Sequence, residues 1–189
     1  DIEGMIQSRA QRKGLQFHLE LDAELHPWLR GDSGKLRQVL INLLGNAVKY
    51  TPQGDIWLKA GTQPLTDDPV KVRLQIEVQD TGPGIPADQV DHIFETFVRY
   101  DQEDSSSKGA GLGLSISKAL VEMMGGRISL ESELSVGSRF TLDLPMIAVQ
   151  AEDILVTEMP APEIIGLQDD GTEWRILVVD DNDENRLLL

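Results

Sequence analysis

The sequence predicts an α+β fold, a largely antiparallel sheet with helices on one face. Three observations carry this: two stretches with apolar residues at every second position, two longer stretches with apolar residues at helical spacing, and an order along the chain that mixes the two kinds. At 189 residues, 40% hydrophobic and 26% charged, the chain has room for one core, or for one domain and a fragment of another.

Ile2, Met5, Ile6 and Ala10 recur at helical spacing until Gly14, which reads as the tail of a helix. Leu15, Phe17, Leu19 and Leu21 then alternate with polar residues, as in a half-buried strand, and Trp28 to Arg30 reads as a short partner strand. From Ser33 to Tyr50, Leu36, Leu40, Leu43 and Ala47 fall on one helix face, with Asp32 or Ser33 as N-cap. Ile56, Leu58 and Ala60 alternate weakly. Val70, Val72, Leu74, Ile76 and Val78 alternate cleanly and end on Asp80. A Gly/Pro turn from Thr81 to Pro86 leads into a short helix reaching about Phe94, and a polar loop, 101–108, looks mobile. Gly111 to Met124 reads as a helix stopped by Gly125 and Gly126, with strands around Arg127 to Leu130 and Ser138 to Leu144 closed by Pro145. From Met146 to about Glu173 the composition turns acidic, with Pro160 and Pro162, as in a linker. Arg175 to Val179 is a short apolar run before Asp180 and Asp181. Seventeen residues from Glu173 onward cannot bury a core, so they read as the opening of a further domain. A chain that opens on Asp1 reads as part of something longer.

Lys+Arg 17 against Asp+Glu 32 leaves a net charge of −15. Nucleic acid is therefore not an expected partner, because phosphate neutralisation needs a basic face. Any phosphate must be held by backbone N–H groups, a metal and a few placed cations. With Cys 0 there is no disulfide and no thiolate chemistry. No apolar run spans a bilayer and no signal peptide is visible.

Four features could carry chemistry. Gln38, Asn42, Asn46 and Lys49 form one polar stripe on the helix after Asp32. A solvated face is the simplest account, but two Asn on one stripe cost helix stability unless their amides are used, and amide oxygens can ligate Mg²⁺ where phosphates supply the charge. Asp80-Thr81-Gly82-Pro83-Gly84-Ile85 is either an ordinary turn or a close-approach loop whose carboxylate accepts a hydrogen bond, as from an adenine amino group. Lys108-Gly109-Ala110-Gly111-Leu112-Gly113-Leu114 opens a helix and serves equally as a hinge or as an anion cradle; it is not a Walker A motif. His18, His26 and His92 have no metal-like partners and read as structural or surface residues. Met123 and Met124 read as core, and Ser105 to Ser107 as a soluble loop.

In order and spacing these motifs resemble the catalytic, ATP-binding domain of sensor histidine kinases within the GHKL superfamily. LRQVLINLLGNAVKYT in Asp32 to Thr51 looks like the N box, DTGPGI from Asp80 the first G box, Ile93-Phe94-Glu95-Thr96-Phe97 the F box, GAGLGLSIS from Gly109 the second G box, and Gly137-Ser138-Arg139-Phe140 the closing glycine motif. The likeness covers about residues 15 to 145. Arg175 to Asn182 resembles the first strand of a response-regulator receiver domain, with Asp180 and Asp181 as its acidic metal-binding pair, and so suggests a hybrid kinase. The domains expected are the exit of an upstream dimerisation helix (1–14), the ATP-binding domain (15–146), an acidic linker (147–172) and the start of a receiver (173–189).

The resemblance implies a two-layer α/β sandwich, the Bergerat-type fold, with ATP held between the helical layer and a flexible lid at about Arg99 to Gly109. Carried over position by position, Asn46 would coordinate Mg²⁺, Asn42 would support the phosphates, Lys49 would contact phosphate and Tyr50 would pack near adenine. Asp80 would accept from the adenine amino group in a pocket shaped by Gly82, Gly84 and Ile85. Arg99 and Lys108 would be lid cations, and Gly109, Gly111, Leu112, Gly113 and Leu114 would wrap the phosphates; Ala110 departs from the usual Gly-Thr. Where hydrolytic branches carry a Glu general base, this chain has Asn42, which cannot take a proton at neutral pH. A histidine acceptor needs less help. Its partners would be ATP, an upstream domain bearing the phosphoacceptor His, and a receiver of the same chain or a separate response regulator. The parent is expected to be a homodimer, this part a monomer or weak dimer and cytoplasmic, and the parent either membrane-anchored or soluble. The rival readings are a GHKL ATPase that drives conformational change and a regulatory docking module.

Overall fold

The computed structural model describes residues 2–65, 70–95 and 112–151. Their elements are α1 (Ile2–Arg12), β1 (Gln16–Leu21), β2 (Leu29–Arg30), α2 (Ser33–Tyr50), β3 (Asp55–Pro64), β4 (Lys71–Asp80), α3 (Ala87–Val90), α4 (Gly113–Met123), β5 (Arg127–Glu133) and β6 (Gly137–Ala148). The six strands form one sheet in the order β1-β3-β4-β6-β2, with β5 also on β6. Only the β1–β3 pair is parallel, as expected of a mixed but largely antiparallel sheet.

The alternation in β4 decides which face is the core. Val72, Leu74, Ile76 and Val78 are buried, as are Phe140, Leu142 and Leu144 opposite them. These inward positions meet α1, α2 and α4 in one apolar cluster. Asp80 takes the next inward position after Val78, so the period that builds the core also carries a carboxylate into it. It pairs in register with Ile56 on β3 and Ser138 on β6.

α2 begins where the sequence places it: the Asp32 carboxylate accepts from Lys35 N at 2.9 Å. Its buried arc is centred on Val39, Leu43, Leu44, Ala47 and Val48, while Leu36 and Leu40 are only partly buried. The expected face is thus rotated, because α2 packs against α1 and α4 as well as the sheet. Its C-terminal carbonyls are taken up from outside: Lys13 Nζ donates to Val48 O and Lys49 O, both at 2.7 Å.

Other expectations shift. In β1, Leu15 is buried just ahead of the strand but Leu19 and Leu21 are exposed, because this edge strand outruns the helices that cover its start. β2 finds its partner in β6 rather than in its sequence neighbour. α3 ends at Val90, and the chain reaches Phe94 through turns. β6 does not close at Pro145 but runs on to Ala148, so Ile147 and Ala148, placed in the linker by sequence, belong to the sheet. The reason is register: Ala148 N donates to Val70 O on the β4 side and Val149 N to Trp28 O on the other. By the period of two, residue 145 directs its nitrogen to that other edge, into the gap between the last β5 partner, Asp143, and the first β2 partner, Ile147. A proline costs no ladder bond there. Met123 is 70% exposed, against its reading as core, whereas Met124 packs on the cluster. No helix of the described residues is long and apolar enough to cross a membrane.

Candidate functional site

Three elements converge at the Asp80 end of the sheet: the strand end itself, the turn between β5 and β6, and the last turn of α2. Asp80 is 9% exposed. Its Oδ1 accepts from Gly82 N at 2.8 Å, and the carboxylate also accepts from the Ser138 backbone. Burial nonetheless outweighs these donors and holds the carboxyl above the usual carboxylate range. It is a buried acceptor beside a glycine loop, with its hydrogen-bonding capacity only partly used.

Two glycines permit the close approach around it. Gly84 has φ +72°, and a Cβ there would lie 2.0 Å from Glu133 O; at Gly137, with φ +137°, it would lie 1.9 Å from Asp80 O. Both positions exclude a side chain on conformation and on space. Ser132 ties the two segments together: its hydroxyl accepts from Ile85 N at 2.8 Å, donates to Gly137 O at 2.9 Å and lies 2.9 Å from Ser138 Oγ.

The polar stripe of α2 faces α4. Asn42 Nδ2 donates to the buried Ser117 Oγ at 2.8 Å, and a Cβ on Gly113 would lie 2.4 Å from Asn42 Oδ1. The glycine at the start of α4 therefore makes room for an α2 side chain. α4 has no side-chain cap and no acidic residue in its first turn, so its first backbone N–H groups present a partial positive charge to a neighbouring anion. Asn46 is half-buried on the same stripe. Lys49 Nζ donates to Tyr50 OH at 3.1 Å and lies 4.7 Å from the centroid of that ring, with Tyr50 itself half exposed.

The F-box residues Ile93 and Phe94 pack onto the domain, Phe94 edge-on to Phe140 at 6.3 Å and under Lys118 Nζ at 5.8 Å. A model of the histidine kinase-, DNA gyrase B- and HSP90-like ATPases matches residues 31–148. The chain belongs to that ATPase family. It is similar to the autoinducer 2 sensor kinase/phosphatase LuxQ of Vibrio vulnificus, 35% identical over 189 residues. It also resembles the aerobic respiration control sensor protein ArcB of Escherichia coli, 36% identical over 191 residues. The alignments take in 100% and 94% of this chain but 22% and 23% of those proteins, so the chain spans under a quarter of the relatives' length. Among solved structures, full-length ShkA in complex with AMPPNP aligns with TM-score 0.65 and 36% identity over 79% of this chain and 29% of that one. The mycobacterial sensor histidine kinase MprB aligns with TM-score 0.57 and 28% identity over 78% of this chain and 93% of that one. The sandwich architecture expected from the ATPase resemblance is the one observed.

Of the residues singled out in the sequence, Asp80, Gly82, Gly84 and Ile85 form the cluster at the sheet end. Asn42, Asn46, Lys49 and Tyr50 share α2, and Leu112, Gly113 and Leu114 start α4. Arg99, Lys108, Gly109, Gly111, Asp180 and Asp181 lie outside the described residues, as does the polar loop. The three His are accounted for structurally: His18 stacks on Trp57 at 5.2 Å and pairs with Asp55, His26 Nδ1 lies 3.0 Å from Trp28 O, and His92 pairs with Glu95. Sequence reasoning missed four hydroxyls, Thr51, Ser117, Ser132 and Ser138, as site residues. Ser138 lies in a quoted motif, and Thr51 ends the N-box run, but nothing in periodicity distinguishes them.

Proposed function

We propose that this chain is the ATP-binding catalytic module of a two-component, hybrid sensor histidine kinase. The observation that carries the reading is the buried, partly unpartnered Asp80 carboxylate beside a glycine loop, together with the α2 polar stripe that meets the start of α4, a helix without a side-chain cap. The names of the relatives, sensor kinases among them, and the AMPPNP complex of ShkA support it.

Asp80 accepts from the adenine amino group, which a guanine replaces by an oxygen that the carboxylate repels. Gly82, Gly84 and Ile85 form the wall beside it, and Tyr50 packs near the base. The α4 N–H groups at Gly113 and Leu114 meet phosphate oxygens, joined by Lys49 and, outside the described residues, by Arg99, Lys108, Gly109 and Gly111. Asn42 acts through its bond to Ser117, holding the start of α4 against α2. The donor set fits a magnesium ion carried by the nucleotide: Asn46 offers a neutral amide oxygen, and phosphates supply the charge. The ion would neutralise charge on the phosphates. No carboxylate stands at position 42 to activate water, so the γ-phosphate passes to an imidazole nitrogen. An N–P bond forms, the bond to the β,γ-bridging oxygen breaks, and ADP leaves. The acceptor His lies on an upstream dimerisation domain, Asp180 and Asp181 belong to a receiver domain after an acidic linker, and the parent is a homodimer.

Incubating the chain with Mg-ATP, with and without an added hairpin domain bearing a histidine, tests this. Phosphate transfer to the histidine with slow phosphate release supports the kinase. Rapid release without transfer would overturn it in favour of a conformational ATPase.

A further inference from the structure

Thr51 is the residue that caps α2, its backbone N–H donating to Ala47 O at 3.0 Å. That role needs no side chain. Yet Thr51 is 0% exposed, and its Oγ1 has no hydrogen-bond partner among the described residues. An unpaired buried hydroxyl is a net cost that an isosteric valine would not carry. Oγ1 lies against the turn that holds Asp80: the point where a Gly82 side chain would begin is 3.3 Å from Thr51 Oγ1 and 2.7 Å from Asp80 Oδ1. Both oxygens lie beside that one point, so at most about 6 Å separates them, a distance at which polar groups meet through a water or a small shift. A threonine hydroxyl can donate and an ionised carboxylate can only accept. The pair is chemically matched, yet Thr51 Oγ1 makes no bond to the carboxylate.

We propose that Thr51 is a positioning residue for base recognition: its hydroxyl donates to the Asp80 carboxylate when a purine amino group donates to the same carboxylate. This rests on the adenine-binding reading of Asp80. An ionised carboxylate has about four acceptor sites. Gly82 N–H and Ser138 N–H occupy two, which leaves places for Thr51 and for the base. The Gly82 turn beside both oxygens is what must settle as the base packs next to it. Once made, the bond fixes the carboxylate and favours its ionised form, the only form that accepts from the amino group. Thr51 touches the acceptor and not the base.

The test compares two ligands on three proteins by calorimetry: Mg-ADP and the Mg-diphosphate of purine riboside, which lacks the amino group, on the unmodified chain, Thr51→Val and Thr51→Ser. The unmodified chain should prefer ADP. Thr51→Val should weaken ADP about tenfold and leave the amino-free nucleotide unchanged, and Thr51→Ser should restore ADP. Equal losses on both nucleotides would mark Thr51 as a packing residue and overturn the proposal, as would no loss on either. If Thr51→Val does not fold, Thr51→Ala carries the same comparison. An unmodified chain that binds both nucleotides equally would instead refute the Asp80 reading, before any variant is compared, and this proposal with it.

Discussion

The two ends of the site are built from different materials. At the end assigned to the base, Asp80, Gly82, Ile85, Ser132, Gly137 and Ser138 are joined by short hydrogen bonds among strand ends and backbone amides. At the end assigned to the phosphates, Asn46 and Lys49 project from α2, and the link between helices among the described residues is Asn42 to Ser117. The first end is preorganised by the sheet. The second consists of longer side chains and a helix terminus without a side-chain cap, suited to a polyanion whose charge is met from several sides. Selectivity for the base and holding of the phosphates should therefore fail separately.

The largest break is expected at Gly84. A Cβ 2.0 Å from Glu133 O on a residue with φ +72° cannot be accommodated without moving backbone, so Gly84→Ala should lower the unfolding free energy by about 3 kcal/mol, read by urea denaturation. Gly113→Ala should do the opposite in kind. The atoms nearest its Cβ all belong to the Asn42 amide, so Asn42 should turn and release Ser117 while the fold holds, Mg-ATP affinity should fall about tenfold and adenine preference should stay. Calorimetry beside a thermal melt separates the two.

Acidification should reach the base end first. Because burial raises the folded-state pKa of Asp80, its buried anion costs stability at neutral pH, and that cost disappears as pH falls through the raised value. Binding of an amino group moves the other way, since only the ionised carboxylate accepts. Between neutral pH and the ordinary carboxylate range near pH 4, ADP preference over GDP should therefore decline while the domain stays folded. In Asp80→Asn the preference should be absent at every pH. The smallest effect belongs to the half-buried Lys49: Lys49→Ala should weaken ADP a few-fold, roughly what one solvent-screened charge contributes, and leave base selectivity alone.

Much of this contrast was legible in the sequence. The alternation of β4 delivers Asp80 to the core face, and the Asn42/Asn46/Lys49 stripe is separable from the apolar arc of α2 by angle alone. The exact arc was not, because α1 and α4 share the burial of α2 with the sheet. Pro145 misled as a strand end, since only the placement of β5 and β2 along β6 shows that its missing N–H falls in a gap. The hydroxyls were illegible for a related reason. Ser117 is 75 residues from Asn42 and Ser132 is 47 from Ile85, and no local pattern pairs residues so far apart.

The central claim is that Asp80 reads adenine. Titrating the chain with Mg-ADP and Mg-GDP, and repeating both on Asp80→Asn, addresses it directly. The account predicts adenine-selective binding that Asp80→Asn weakens about 10- to 100-fold, as expected for a hydrogen bond to a charged acceptor. No binding by the folded chain, or equal binding of both nucleotides, would contradict it and leave the glycine boxes as the scaffold of a docking module.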